Sequence, residues 1–552
     1  MSSIINRRLY SSYAKTWVLG LAIIGLAGCS AGESTTGTVT TGGSAALNGP
    51  LVFVNNTGDR TLTTVALRGD SGNAIVNTLG AGAPGVFGNV ALGDMQFSLG
   101  EWVFVNLAAT NQVATIDPLT EATPVHEVNL TAGTRPVHVY RDPTDREVMW
   151  IMNDGNNVSG TDYQGDDLIN CVPGGAVPGH NYGSSVTIIH NSHLGPGAVP
   201  PTVERTVCVL ADGHKVAAFS QPTVADANIP RRAFVSSSTS GEIAVIDNTP
   251  VPGANPNWLL IDRIDLCDPV KEALRPTPAT CNDELPTPLT TAFTPNNSNP
   301  HGIRWSRLTG KVYSIQENYR TIVEIDPVTL AATLVADLSI TNYTAFGISP
   351  DGRFLLLRGS SPAPSFGTRL GVIDLAVAGN PRAIVDLNIP ELNGFAPGSF
   401  KFSPDGQRFY ILAGNTSTGP RDFLFAFDAS TLTTQPSPAL TLLRAIGLMA
   451  TLDGRHSFDV LAQRPAGAPS GTLASARYLA VSNGTDDSIS IINAANNQVV
   501  QNVRVGRTPG AVMVYYPGSV AAGGQAISSL TGVQTSVPES LPERLDDHGM
   551  PE

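Results

Sequence analysis

One phrase recurs along this chain: a short β-rich strand ending in a polar residue, a polar turn, and a second strand ending in Asp or a close relative. LVFVNNTGDRTLTTVAL begins at Leu51 and WVFVNLAATNQVATIDP at Trp102. The later copies are VMWIMND at Val148 with SVTIIHN at Ser185, RAFVSSSTSGEIAVIDN at Arg232, KVYSIQENYRTIVEIDP at Lys311, RFLLLRG at Arg353 with RLGVIDL at Arg369, RFYILAG at Arg408 with DFLFAFDAS at Asp422, and RYLAVSNGTDDSISIIN at Arg477. A phrase repeated eight times predicts a repeat fold, in which each unit buries its apolar faces against its neighbours.

Most copies are followed by a third strand, as in ATLVADLSI or QVVQNVRVG. A segment with Pro, Gly or His then opens a further strand and closes in a tight turn, as in PHGIRWSRLTGK, TAFGISPDGR and PGSFKFSPDGQ. Asp351-Gly352 and Asp405-Gly406 are turn dipeptides, because Gly supplies the positive φ such turns demand. Four strands per unit with no amphipathic helix between units predicts an all-β propeller of four-stranded antiparallel blades. The copy count predicts eight blades, and a seven-bladed ring with one degenerate unit is the alternative. The repeats begin at the second strand of a unit and end with TPGAVMVYY, a first strand, at Thr508–Tyr516. The predicted ring is therefore circularly closed, the last strand completing the first blade and removing open edges.

The phrase, read as strand, Asn, polar turn, strand and Ile-Asp, resembles the YVTN-type β-propeller repeat family, which includes lactonase-like propellers. The resemblance covers residues 50–517. It implies a propeller, and it leaves open a lactonase or esterase activity, although the family's catalytic pattern is not matched residue by residue and assigns no catalytic residue here.

The N-terminus carries Arg7, Arg8 and Lys15 before an apolar run from Trp17 to Gly28 that is too short to span a bilayer. Leu26-Ala27-Gly28-Cys29 resembles the bacterial lipobox, which implies a signal peptide over 1–28, lipidation of Cys29 and a palmitate-bearing lipoprotein. Ser30 in place of Asp points to the outer membrane, facing the periplasm or the cell surface. Residues 29–49 are rich in Ser, Thr and Gly and read as a flexible tether; residues 518–552 read as a disordered tail. Loss of the leader's three cations takes the formal charge from −13 to −16, which disfavours nucleic acid as a partner. Besides Cys29, the cysteines Cys171, Cys208, Cys267 and Cys281 make an even set for an oxidising compartment, and the sequence-local pairing closes the shortest loops. No CxxC or CxxCH is present, which excludes thioredoxin-like chemistry and covalent haem.

Strands alternate in direction within a blade, so the start of each first strand and the end of each second strand share one face of the disc. That places His138, His301, Asn55, Asn106, Asn153, Asp154, Glu317 and Arg358 on one face, with Arg304 three residues into its strand. The long segments after Asn153 and after Cys267 fall on this face as well, and with their cysteines they mark it as the working surface. His138 and His301 follow prolines and read either as packing residues at the blade entry or as ligands. The other units read QPTV, TAFG, PGSF and TPGA there, supplying no further ligand, so a shared zinc or copper site lacks its third donor. Asp154, Asn156, Asp162, Asp166 and Asp167 are oxygen donors of the kind Ca²⁺ takes, without EF-hand spacing, so Ca²⁺ is a possible cofactor and none is established. Gly69-Asp70-Ser71-Gly72 imitates a serine-protease motif but sits in a polar turn.

Three functions fit this reading. The first is a binding or scaffolding module for an envelope protein or polymer. The second is a hydrolase in which His301, Arg304, Glu317 and His138 polarise an ester and activate water. The third is a redox-associated propeller with a metal or a haem held by His138 or His301.

Overall fold

A computed structural model describes residues 49–515, apart from stretches of the connections between strands, of which 156–183 is the longest. Residues 1–48, with the leader, Cys29 and most of the tether, lie outside the described residues, as does everything after Tyr515. The described chain forms eight four-stranded antiparallel sheets, each built from consecutive strands except the first. That first blade takes its inner strand from the far end of the chain: Pro509–Tyr515 pairs with Leu51–Asn56, which continues to Thr61–Ala66 and Ala74–Leu79. Ring closure by the final strand, and eight blades rather than seven, follow directly.

The inner strands of blades 2 to 8 are Met95–Phe97, Pro136–Arg141, Lys215–Ser220, Pro300–Ser306, Tyr343–Ile348, Phe395–Phe402 and Phe458–Gln463. From blade 8 through blade 1 to blade 6 successive inner strands touch one another, which sets them around the axis.

Each blade is packed on both faces, so its central strands read as unbroken runs of Val, Ile, Leu and Phe; Leu51–Asn56 is buried at every position. The apolar residues fall into eight clusters, one at each junction between neighbouring blades. Phe354 and Leu356 of blade 6 meet Phe409 and Phe427 of blade 7, and Val52 and Val512 of blade 1 meet Ile489 and Ile491 of blade 8. Each blade is thus held by its two neighbours, and the closing strand supplies one of these contacts.

The turn dipeptides form as predicted. Gly352 and Gly406 take φ of 77° and 69°, and Asp351 and Asp405 each accept a backbone N–H two residues on. A Cβ at Gly352 would stand 2.9 Å from the backbone nitrogen of Arg307, so packing and φ both demand glycine there. Among the described residues no helix is long and apolar enough to cross a membrane.

Candidate functional site

The repeated Asn of the strand phrase has a structural use. Asn153 is fully buried and donates from Nδ2 to Ser185 Oγ and Thr187 Oγ1, both at 3.0 Å. Asn56 does the same to Thr61 and Thr63, and Asn483 to Ser488 and Ser490. The amide staples the end of the second strand to alternate hydroxyls on the third, which side-chain alternation brings to one face. Asn55 instead ties blades together, donating to Gly93 O at 2.7 Å and accepting from Ala511 N at 2.6 Å. Asn106 is buried as well. Asn55, Asn56, Asn153 and Asn483 are framework.

The same face carries a different set of groups at the axis. His138 lies in the inner strand of blade 3 and His214 directly precedes that of blade 4; their Nε2 atoms face each other at 3.0 Å with the rings edge-on. His301, in the inner strand of blade 5, places its ring 5.2 Å from that of His214. Each ring has a carboxylate behind it. His138 Nδ1 is 3.5 Å from Asp94 Oδ2, His214 Nδ1 is 3.2 Å from Asp154 Oδ2, and His301 Nδ1 is 2.8 Å from Glu317 Oε1.

Local structure explains the aim of these side chains. Pro300 pairs with Gln316 and Gly302 with Ile315, so His301 is the extra residue of a β-bulge. A bulge re-aims its side chain, here toward Glu317. Glu317 is itself held, because Asn299 donates from Nδ2 to its Oε2 at 3.2 Å and the Glu317 N–H donates to Asn299 O at 3.1 Å. Asn299 sits at φ 51°, a left-handed conformation that Asn tolerates better than most residues. Asp94 also accepts from Val139 N at 3.3 Å, linking blade 2 to blade 3. The three histidine side chains are 15–25% exposed, which is open enough for a ligand and enclosed enough to hold their rings.

Of the residues singled out from sequence, His138, Asp154, His301 and Glu317 come together. Arg304 does not join them: it is 3% exposed and donates to Ile303 O at 2.6 Å. Arg358 reaches sideways to Gly398 O at 2.6 Å and over the Phe400 ring in blade 7. Asn156, Asp162, Asp166, Asp167 and Cys171 lie outside the described residues, while Asp154 is turned to His214. Asp70, within the protease-like motif, accepts from Tyr478 and Asn493 of blade 8 and thereby helps seal the ring.

Cys267 and Cys281 form a disulfide, and Cys208 is bonded to a cysteine outside the described residues. The Cys267 insertion is fastened by Glu272. Burial alone would raise the pKa of this carboxyl, but donation from Tyr319 Oη, Ala279 N, Asn297 N and Arg275 holds it down at about 2.

His214 and Asp94 were not found by sequence reasoning. QPTV was expected to open the first strand of blade 4; that strand is Lys215–Ser220, and Gln221–Val224 lies in the turn that follows. The signal was ADGHK, a polar stretch ending in His just before an apolar run.

No family model matches the chain, and no curated protein does. Solved structures are similar to it at low identity. The periplasmic gluconolactonase PpgL of Pseudomonas aeruginosa is 16% identical, with 85% of this chain and 99% of that one covered at a TM-score of 0.43. Apo AztD of Citrobacter koseri is 11% identical over 85% and 99% at 0.44. Hydrazine synthase of Kuenenia stuttgartiensis is 14% identical over 70% and 97% at 0.39. At such identities and scores nothing about this chain's chemistry follows from them.

Proposed function

We propose that this protein is a cell-envelope binding module, lipid-anchored at Cys29, that presents its histidine-bearing face to an envelope protein or polymer. The observation that carries the reading is the asymmetry of the disc. The axial histidines and their carboxylates share a face with the disulfide-closed Cys267–Cys281 insertion, in the connection 266–299, whereas connections on the other face run from the tight turn at Arg307–Gly310 to the twelve residues between Asp247 and Leu260. Binding surfaces gather where loops are longest and polar groups converge. A hydrolase would need an electrophile beside the His301–Glu317 pair, and Arg304, the residue suited to it, is buried with its guanidinium on a backbone carbonyl.

The test is in-cell photocrosslinking of the full-length lipoprotein. Ala132 is exposed in the connection entering blade 3 on the histidine face, and Leu308 is 46% exposed on the opposite face. A photoreactive amino acid at 132 is expected to give a discrete adduct and one at 308 none. Equal adducts from both positions, or adducts from 308 alone, would overturn the reading.

A further inference from the structure

The His138–His214 contact poses a problem of protons. An ionised carboxylate only accepts hydrogen bonds, so Asp94 and Asp154 each favour a proton on the Nδ1 they face. A neutral imidazole protonated at Nδ1 presents a lone pair at Nε2. Here two such Nε2 atoms stand 3.0 Å apart. That distance suits an N–H···N hydrogen bond, for which one ring must carry a proton at Nε2, and it equally suits a cation bound by both lone pairs; the three carboxylates behind the three rings favour the second.

We infer that His138 and His214 form the core of a site for a late first-row transition-metal dication, with His301 as the third imidazole. Two imidazole nitrogens bound to one tetrahedral Zn²⁺ at about 2.0–2.1 Å stand about 3.3 Å apart, close to the spacing found here. Each candidate ligand also has the outer carboxylate that metal-bound histidines use to fix tautomer and ring orientation: Asp94 for His138, Asp154 for His214 and Glu317 for His301. As they stand, no three His, Cys, Asp or Glu side chains among the described residues are arranged to hold a metal ion. Binding therefore requires the His301 ring, beside that of His214, to turn inward. Nitrogen donors select a zinc- or copper-like ion over Ca²⁺ or Mg²⁺, which take oxygen.

The site uses the proposed binding face but not its partner. The experiment is equilibrium dialysis of the EDTA-stripped full-length protein against Zn²⁺, with Co²⁺ absorption reporting ligand type. One equivalent of Zn²⁺ is expected, undisturbed by millimolar Ca²⁺. His138→Ala and His214→Ala should each weaken binding by 100-fold or more, and Asp94→Asn or Asp154→Asn by about 10–100-fold. His190→Ala, whose ring pairs with Glu147 at 3.5 Å, should leave it unchanged. Circular dichroism of each variant separates loss of ligand from loss of fold. Absence of saturable binding, or binding that survives both His138→Ala and His214→Ala, would overturn the inference. So would a metal-free protein whose ¹⁵N spectrum shows one proton shared by the two rings. Failure here with crosslinking from position 132 intact removes the metal and keeps the partner; the reverse result removes the partner and keeps the metal.

Discussion

The Cys267 insertion stands on one buried carboxylate, and Glu272→Gln tests how much that carboxylate holds. Glu272 is 1% exposed and accepts four hydrogen bonds: from Tyr319 Oη at 2.5 Å and Asn297 N at 2.8 Å on Oε1, and from Arg275 Nη1 at 2.6 Å and Ala279 N at 2.8 Å on Oε2. Glutamine keeps the shape but turns one oxygen into an NH₂ group, setting donor against donor for two of the four partners and removing the charge from all. Two lost charge-assisted bonds at roughly 1.5–3 kcal/mol each amount to about 3–6 kcal/mol. That loss should fall first on local opening of the insertion. Trypsin can cut after Lys271 but not after Arg275, which precedes Pro276, so the rate of nicking at Lys271 in the folded protein, read on a reducing gel because the Cys267–Cys281 disulfide joins the fragments, reports it. Where cleavage tracks the open population, about 3–6 kcal/mol is an increase of about two to four orders of magnitude. The wild-type carboxyl, with its pKa held at about 2, contributes stability that is whole above pH 4.5 and is lost as pH falls from 4.5 through 2. The variant should lack that acid limb. A nicking rate within tenfold of wild type would refute the reasoning and show that the disulfide alone orders the segment.

Glu242 predicts the opposite pH dependence. Burial pushes its pKa up to about 8, Arg263 pulling it down and Asp265 adding to the rise. The folded state therefore holds this proton more tightly than the unfolded chain, and stability should decline as pH rises from about 4.5 through 8, by roughly 3–5 kcal/mol. Glu242→Gln should flatten that slope in urea titrations across the range, and an unchanged slope would sink the claim. Asn483→Ala should cost about 1–3 kcal/mol by leaving the Ser488 and Ser490 hydroxyls without their shared donor; an unaltered urea midpoint would show that those hydroxyls find other partners at no cost.

Architecture was legible in the sequence because a propeller strand is packed on both sides, so its apolar run and polar ends repeat wherever the blade does. The SPDG turns and the out-of-phase termini could be read for the same reason: local backbone demands, and the need to close the sheet edge, leave marks on the chain. The site was half legible. His138, His301 and Glu317 follow from strand direction alone, since these residues sit at the start or just past the end of recognisable strands. Arg304 fails that logic because a residue inside an inner strand alternates between two packed faces, and its side chain is buried. His214 escaped because QPTV, with its Pro, resembles the openings of the other first strands and reads as the start of blade 4, although the polar ADGHK turn before KVAAFS marks that start.

The contrast between the Asn staples and the histidines explains how a repeat protein can separate framework from function. Asn56, Asn153 and Asn483 make the same pair of bonds in blades 1, 3 and 8, and a residue that recurs at one register position with one set of partners is maintained by the blade itself. The histidines occur at the entry of the inner strands of three consecutive blades, and Asp94 occupies the entry of the blade before them. His301 keeps Glu317 within blade 5, but for the other two the partners lie across blade boundaries: His138 meets Asp94 of blade 2 and His214 of blade 4, and His214 meets Asp154 of blade 3. Such contacts exist only once the ring has assembled around its axis. They contribute nothing to forming any one sheet, so a variant that removes them should leave the blades folded and change only what the axial face can bind.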